Sequence, residues 1–299
     1  MSGEHNERIM VGDVKKFAED ARKMVNSQEF SDVKFVIGDE RRNIYGHRCL
    51  LASRCEVFRV MFADHEQRGK DTTMYPFVLQ DTNPDVFLSM LEYIYTSCVT
   101  LDVHTAIDVL AMSVGYALGE LTKLCEKYIC DSLSINSASE AIQAAVTYSL
   151  DDLGQTCLAF IEDNTSEVVK TKGFHELSDT ALGVILQSDR LALDEPDLLE
   201  AVRDWATVNS VSWPVVVGKP VAEVAEKVIG HVRLPLLVPD ELSRVEQDNK
   251  DQLVPVEQIS FTWKFHAMKT PEAGNPIFRL RRGTVDREHH KVLPKKADK

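Results

Sequence analysis

SDVKFVIGDERRNIYGHRCLLASRCEVFRVMF, residues 31–62, is the stretch that decides the fold. Val33, Phe35 and Ile37 recur at every second position, the period of a strand. Gly38-Asp39-Glu40 is a turn signal, and RNIYGH after it is the return strand of a hairpin. HRCLLASRCEVFRVMF then changes period and predicts helix, with Cys49, Leu50, Phe58, Met61 and Phe62 inward. The run ADHEQRGKDTT that follows has no larger apolar residue and predicts an exposed loop. PFVLQ beyond it predicts a third short strand.

Outward from this core, Val14, Phe17, Ala18, Ala21, Met24 and Val25 have helical spacing and predict a helix over 13–26, with Asp13 as its N-cap. So little chain precedes it that its apolar face must dock on later sequence or on another subunit. Downstream, Asn83-Pro84 is a cap followed by a proline suited to a first helical turn. Phe87, Met90, Leu91, Ile94 and Tyr95 form the stripe of that helix. Ile107, Leu110, Ala111 and Val114 form another, which Gly119 is expected to end. Leu121, Leu124, Cys125, Tyr128 and Ile129 form a third. The first part of the chain is therefore α+β, a small sheet flanked by helices.

From about Asn136 the strand signal vanishes. Ala138, Ile142, Ala145 and Val146, then Leu153, Cys157, Phe160 and Ile161, then Leu198, Val202, Trp205 and Ala206 predict an all-helical bundle. The pattern continues through Val221–Ile229 and Ile259–His266, and Pro271, Gly274 and Pro276 break it. The expected division is an N-terminal helix in 1–30, an α+β core in 31–132, a helical domain in 133–270 and an irregular basic tail in 271–299. The chain carries a net charge of −13, which opposes nucleic-acid binding. That charge is uneven, because the part from Lys264 onward carries +6 and the rest −19. A tail of this kind is expected to be solvated rather than held by an acidic partner or the protein's own body.

Chemical motifs are scarce. No phosphate-binding loop and no nucleophile elbow occur. Basic and aromatic residues do not interleave as they do in RNA-binding sheets. The six cysteines are scattered and read as free core thiols in a reducing compartment. Cys125 and Cys130 lie five apart on one predicted helix, which does not suit a metal, and His289-His290 lacks the spacing of a zinc-binding helix. No apolar run is long enough to span a membrane, and MSGEHNERIM lacks the marks of a secretory signal. The expected location is the cytoplasm, with the nucleus left open because LPKKADK is sparse in charge for a nuclear signal.

Residues 31–101 resemble the BTB/POZ family. Ser31-Asp32-Val33, HRCLLASRCEVFRVMF at 47–62, Pro84 with Phe87, and LEYIYTSCVTL at 91–101 carry the likeness. Residues 136–208 resemble the BACK domain that often follows it, through AIQAAVTYSLDDLGQTCLAFIEDN, Phe174-His175-Glu176-Leu177, and Glu195 leading to Trp205. VRLPLLVPDEL and later helices resemble the rest of BACK. The resemblance implies a homodimer whose N-terminal helix packs on the partner's core, so Phe17, Ala21 and Met24 would lie at the interface. It makes Asp32 and Arg48 a charged pair there, tolerated under burial only when each satisfies the other. On the residues alone they are a strand-start aspartate and a helix-surface arginine. His47 becomes a structural contact.

Two functions then compete. One is a non-catalytic interaction scaffold that homodimerises and binds an unidentified protein, with no nucleic acid, membrane, metal or cofactor. The other is a substrate adaptor of a cullin-3-type ubiquitin ligase. Adaptors of that type carry a hydrophobic-x-acidic motif after the equivalent of Met61-Phe62, in a loop that would face the cullin. Here Glu66 and Arg68 stand at its apolar and acidic places, where an apolar anchor would supply the affinity. Such adaptors also usually carry a further substrate-recognition domain, and none is expected in 271–299. The scaffold is the expected function, and an enzyme ranks below both.

Overall fold

The computed structural model describes residues 9–68, 75–211, 219–272 and 274–293. It divides into two compact units, Met1–Ser132 and Leu133–Lys299.

In the first unit, α1 (Val14–Arg22) precedes the hairpin of β1 (Val33–Ile37) and β2 (Arg42–Gly46). Then come α2 (Arg48–Arg54), α3 (Glu56–Gln67), β3 (Phe77–Leu79), α4 (Pro84–Thr96), α5 (Ala106–Gly115) and α6 (Gly119–Asp131). The sheet order is β2-β1-β3, with β1 antiparallel to β2 and parallel to β3. Being central, β1 buries Val36 as well as Val33, Phe35 and Ile37, so its alternation understates its burial. Gly38 turns the hairpin at φ 72°, where a Cβ would also come within 3.2 Å of the Thr82 carbonyl oxygen. Phe35 anchors the core, with ring centroids 5.1 Å from Phe87 and 5.7 Å from both Phe58 and Phe77. Asn83 caps α4 by accepting from the Asp85 amide at 2.9 Å, and Pro84 opens the helix.

Four local expectations are corrected. The helix after β2 is two helices, because Cys55 is extended at φ −138° and ψ 116°. The break shifts the phase, so Leu51 is fully buried, Leu50 only partly so, and Cys49 exposed. The polar run after Phe62 stays helical to Gln67, as a solvated helix end does without apolar residues; residues 69–73 of that run lie outside the described residues. Gly119 begins α6 rather than ending α5, and the turn between them uses Ala117 at φ 54°. Finally, α1 stops at Arg22, and the chain turns through Asn26, whose side chain accepts from the Tyr45 amide at 3.0 Å.

The second unit contains α7 (Ala138–Tyr148), α8 (Asp151–Asp163), α9 (Thr165–Val168), α10 (Lys172–His175), α11 (Asp179–Gln187), α12 (Glu195–Ser210), α13 (Val221–Ala225), α14 (Pro239–Asp248) and α15 (Val256–Met268). Tighter 3-10 turns occupy Ile229–His231, Leu234–Leu236, Pro276–Phe278 and Glu288–Val292. No strand occurs in it among the described residues. Trp205 is buried and donates its indole N–H to the Leu177 carbonyl at 2.8 Å.

The segment after Pro276 is irregular but not solvated over its described part, which corrects the tail expectation. Phe278 and Leu293 join Leu236 and Phe265 in one apolar cluster. Gly283 donates its amide to the Leu191 carbonyl at 2.9 Å, and a Cβ there would fall 2.1 Å from the Leu193 nitrogen. Only glycine permits that approach. Arg281 and Glu195 pair at 3.0 Å with both side chains fully buried. The remaining Arg281 N–H groups reach the carbonyls of Leu186 at 2.8 Å, Ser188 at 2.5 Å and His231 at 2.8 Å, and the second Glu195 oxygen at 3.5 Å. Arg287 binds Asp194 at 2.7 Å and Glu241 at 3.0 Å. The basic tail was the cation half of a charge set whose acids lie in the helices.

Arg281→Met and Glu195→Gln should each destabilise the second unit by about 3–5 kcal/mol, because each leaves a buried partner unmatched. Combined, they should cost less than the sum of the two. Urea unfolding of the four chains, followed by tryptophan fluorescence, measures both quantities.

Candidate interaction surface

Asp13 caps α1 by accepting from the Lys16 amide at 2.9 Å, which sets the helix going one residue before Val14. Spacing then places Val14, Phe17, Ala18 and Ala21 on one face. The helix lies against α4, where Arg22 pairs with Glu92 at 2.6 Å. Ala18 and Ala21 are half-buried, yet no residue of α1 is fully buried. Phe17 remains 69% exposed and Met24 37%. Ile9, Met10, Val11, Val14 and Phe30 are exposed too. Apolar side chains scattered singly need no explanation, but this many within residues 9–30 mark an unpartnered surface.

Asp32 is exposed at the start of β1, and its carboxylate accepts from the Arg48 backbone amide at 2.7 Å. It thus holds the N-terminus of α2, a favourable place for an anion. The Arg48 guanidinium reaches elsewhere: it pairs with Glu66 and stacks 5.4 Å from the Phe62 ring centroid. Phe62 itself is buried, 5.7 Å from the Phe77 ring. Glu66 and Arg68 lie at the C-terminal end of α3, and Arg68 pairs with Asp64 at 3.0 Å. Arg48, Phe62 and Glu66 therefore form one cluster, while Arg68 stands apart. The Arg48–Glu66 pair was not legible from spacing, since the partners sit on different helices. Its only hint was that both flank the aromatic stripe of α3.

His47 is buried between the Tyr95 hydroxyl, 2.9 Å from Nδ1, and the Glu29 carbonyl, 3.0 Å from Nε2. A carbonyl only accepts, so Nε2 carries the proton and Nδ1 accepts from Tyr95. The His47 amide donates to the same hydroxyl at 2.9 Å, completing a satisfied structural contact. Burial pushes the Tyr95 phenol up to about 12. Cys125 is buried and its thiol is likewise pushed up to about 12, which makes it a poor nucleophile or ligand. Among the described residues no three histidines, cysteines or carboxylates are grouped to hold a metal ion.

His289 and His290 do meet a third histidine, His266, at ring separations of 4.9 Å from His289 and 4.4 Å between the pair. Each binds a successive backbone carbonyl. His289 takes Pro235 at 3.2 Å, His290 takes Leu236 at 2.9 Å, and His266 takes Leu237. Desolvation, then the neighbouring His290 and His266, lowers the His289 pKa to about 4, and desolvation lowers that of His266. His289 and His290 thus clamp the C-terminal segment to the 3-10 turn at 234–236, and His266 of α15 packs against His289.

The family model for the BTB/POZ domain matches residues 22–133, and that for BACK (BTB And C-terminal Kelch) matches 138–247. The chain is 44% identical to BTB/POZ domain-containing protein 19 of Bos taurus, over 95% of this chain and 96% of the other. The Homo sapiens protein of that name is 44% identical over the same shares. Human BTB/POZ domain-containing protein 9 is 31% identical over 73% of this chain and 34% of its own length.

His289 sets a pH dependence. An imidazole with a folded pKa near 4 against an ordinary 6.5 takes its proton more readily once unfolded. Its contribution to stability is therefore complete above about 6.5 and is lost as pH falls toward about 4. The carboxylates held low by arginine or lysine, such as Asp194 and Asp179, act only below their ordinary 3.8. Urea midpoints of the second unit should therefore fall between pH 7 and pH 4.5, and His289→Gln should flatten the fall.

Proposed function

The chain belongs to the BTB/POZ family that carries a BACK region, and from that premise we propose that it is a non-catalytic protein-interaction scaffold, homodimeric through residues 11–62. The observation that carries this is the exposed apolar face of Val14, Phe17 and Met24, with the exposed Ile9, Met10 and Val11 before it. Covering such a face is worth roughly 25 cal/mol per Å2 of apolar area removed from water. A second copy supplies a matching face by symmetry, because a two-fold interface is self-complementary. Phe17, Ala21 and Met24 form its apolar part. Asp32 and Arg48 complete the proposed interface, joined to each other through the Arg48 amide while the guanidinium holds Glu66. No described helix is long and apolar enough to cross a membrane, and the cytoplasm is the location we assign.

A second function, adaptor of a cullin-3-type ligase, is favoured by the order of BTB followed by BACK. The chemistry of α3 weighs against it. Glu66 is already committed to Arg48, and docking there would break that pair and desolvate a carboxylate. Arg68 puts a cation where an acid is expected, reversing the second contact.

Sedimentation velocity at micromolar concentration should show a dimer, and Phe17→Asp should shift it to monomer. Asp32→Asn keeps the acceptor for the Arg48 amide but removes the charge. It should weaken dimerisation at least tenfold, about 1.4 kcal/mol. A wild-type chain that sediments as monomer overturns the proposal, and unchanged dimerisation of Asp32→Asn returns that residue to a solvated cap.

Calorimetric titration with a cullin N-terminal domain should give binding weaker than micromolar. The double change Glu66→Met and Arg68→Glu should strengthen it. Submicromolar binding by the natural sequence would favour the adaptor instead.

A further inference from the structure

A cleft of about 280 Å3 opens in the second unit between the chain at 230–235, α15 and the turn at 276–278. Its floor is apolar and fixed. Val232, Leu234 and Pro235 are buried, and Phe261 and Ile277 pack against the cluster of Leu236, Phe265, Phe278 and Leu293. Its volume suits one or two side chains rather than a cofactor. The mouth is polar. Glu257 is the one charged residue among the described residues that line it. Its carboxylate makes no ion pair or hydrogen bond with any described residue, whereas Asp189, Asp194 and Glu195 of the same unit are each held by an arginine. A place in the first turn of α15 suits an acid, but does not supply it a cation. Beside it, the Gln258 side-chain amide is also without a described partner, and a primary amide offers the donor and acceptor that a peptide bond matches.

We propose that this cleft docks a short extended segment of a partner protein, seating one apolar side chain on the floor and a neighbouring Lys or Arg against Glu257. The assignment rests on the scaffold function and names the chemistry of its partner. Charge complementarity selects the occupant: an acidic residue at the rim of an apolar pocket rejects an acidic segment and orients a basic one. The apolar anchor supplies affinity, and the Gln258 amide pairs with the segment's backbone.

Gly230 provides a way to close the cleft without disturbing its walls. A Cβ there meets nothing nearer than the Gln258 Nε2 at 4.0 Å. Its φ lies outside the left-handed region, so a larger side chain is admitted. A phage-displayed library of random dodecapeptides should be selected against the full chain, and the enriched sequences synthesised and titrated by fluorescence anisotropy. Enriched peptides should pair an apolar residue with an adjacent Lys or Arg. Gly230→Leu should weaken them at least tenfold. Glu257→Gln, an exposed and isosteric change that survives even if Gly230→Leu does not fold, should erase the preference for basic over neutral flanks. No enrichment, or binding indifferent to Gly230→Leu, overturns the proposal. So do peptides that are apolar alone and bind Glu257→Gln as well as wild type, which would make the cleft a site for uncharged apolar molecules. Sedimentation of the same samples separates the two claims: a dimer that selects no peptide retires this one alone, and a monomer that does retires only the dimer.

Discussion

The second unit depends on a carboxylate and a guanidinium held entirely out of water, Glu195 and Arg281, 3.0 Å apart. Neither charge survives such burial unless every lone pair and N–H is matched. The matching recruits distant pieces of chain. Arg281 ties together the end of α11, the start of α12 and the turn at His231, while the Arg233 amide takes the second oxygen of Glu195 at 2.5 Å. Arg233 in turn reaches Asp189 at 2.7 Å and the Arg279 carbonyl at 2.8 Å. An apolar core of the same volume would be as stable, but it would tolerate sliding of the C-terminal segment along the helices. The charge set does not, because each N–H has one acceptor in reach.

The first unit is built on a different constraint. Its core centres on Phe35 and closes without any buried ion pair among the described residues. What it leaves unsatisfied is α1, a helix of nine residues with none buried. An isolated helix of that length is marginal in water, so its apolar face must gain its stability from packing. Part comes from α4, through half-buried Ala18 and Ala21; the larger side chains, Val14 and Phe17, contribute nothing until covered. The unit is thus complete as a fold and incomplete as a surface, which is the physical content of a docking module.

Sequence periodicity carried far in the elements and less far in their joints. The hairpin, the Asn83-Pro84 start of α4 and the helical character of the second unit followed from patterning and turn chemistry. The break at Cys55 did not, because nothing in LASRCEVF disfavours helix; the extended residue is imposed by packing, where the Cys55 Sγ meets the Tyr116 carbonyl at 3.5 Å. Gly119 misled for a similar reason, since a glycine marks a helix boundary without saying which side. The exposed apolar face of α1 was legible from the helical spacing of Val14, Phe17, Ala18 and Ala21. Its charged neighbours were only half so: Asp32 and Arg48 do meet, but through the Arg48 amide at 2.7 Å, while the side chain goes to Glu66. The basic tail shows the limit of net charge as a guide. Its +6 implies affinity for acids, and only the fold reveals that the acids are Asp194, Glu195 and Glu241.

The docked tail also decides what the second unit can do. A cleft binds well when its walls are ordered beforehand, since a ligand then spends none of its affinity on ordering them. Ile277 lines the cleft, and Phe278 beside it is buried in the apolar cluster. Both are followed within a few residues by Arg281, whose five N–H groups are all matched. On the opposite wall, Pro235 lends its carbonyl to His289 and Leu236 to His290. The same segment that the sequence reads as a solvated tail therefore fixes two walls of the cleft from behind. Anything that loosens it, by removing a buried charge or by charging His289, acts on the cleft through its floor rather than at its mouth. His289 makes that support a property of pH, strongest where its imidazole carries no proton.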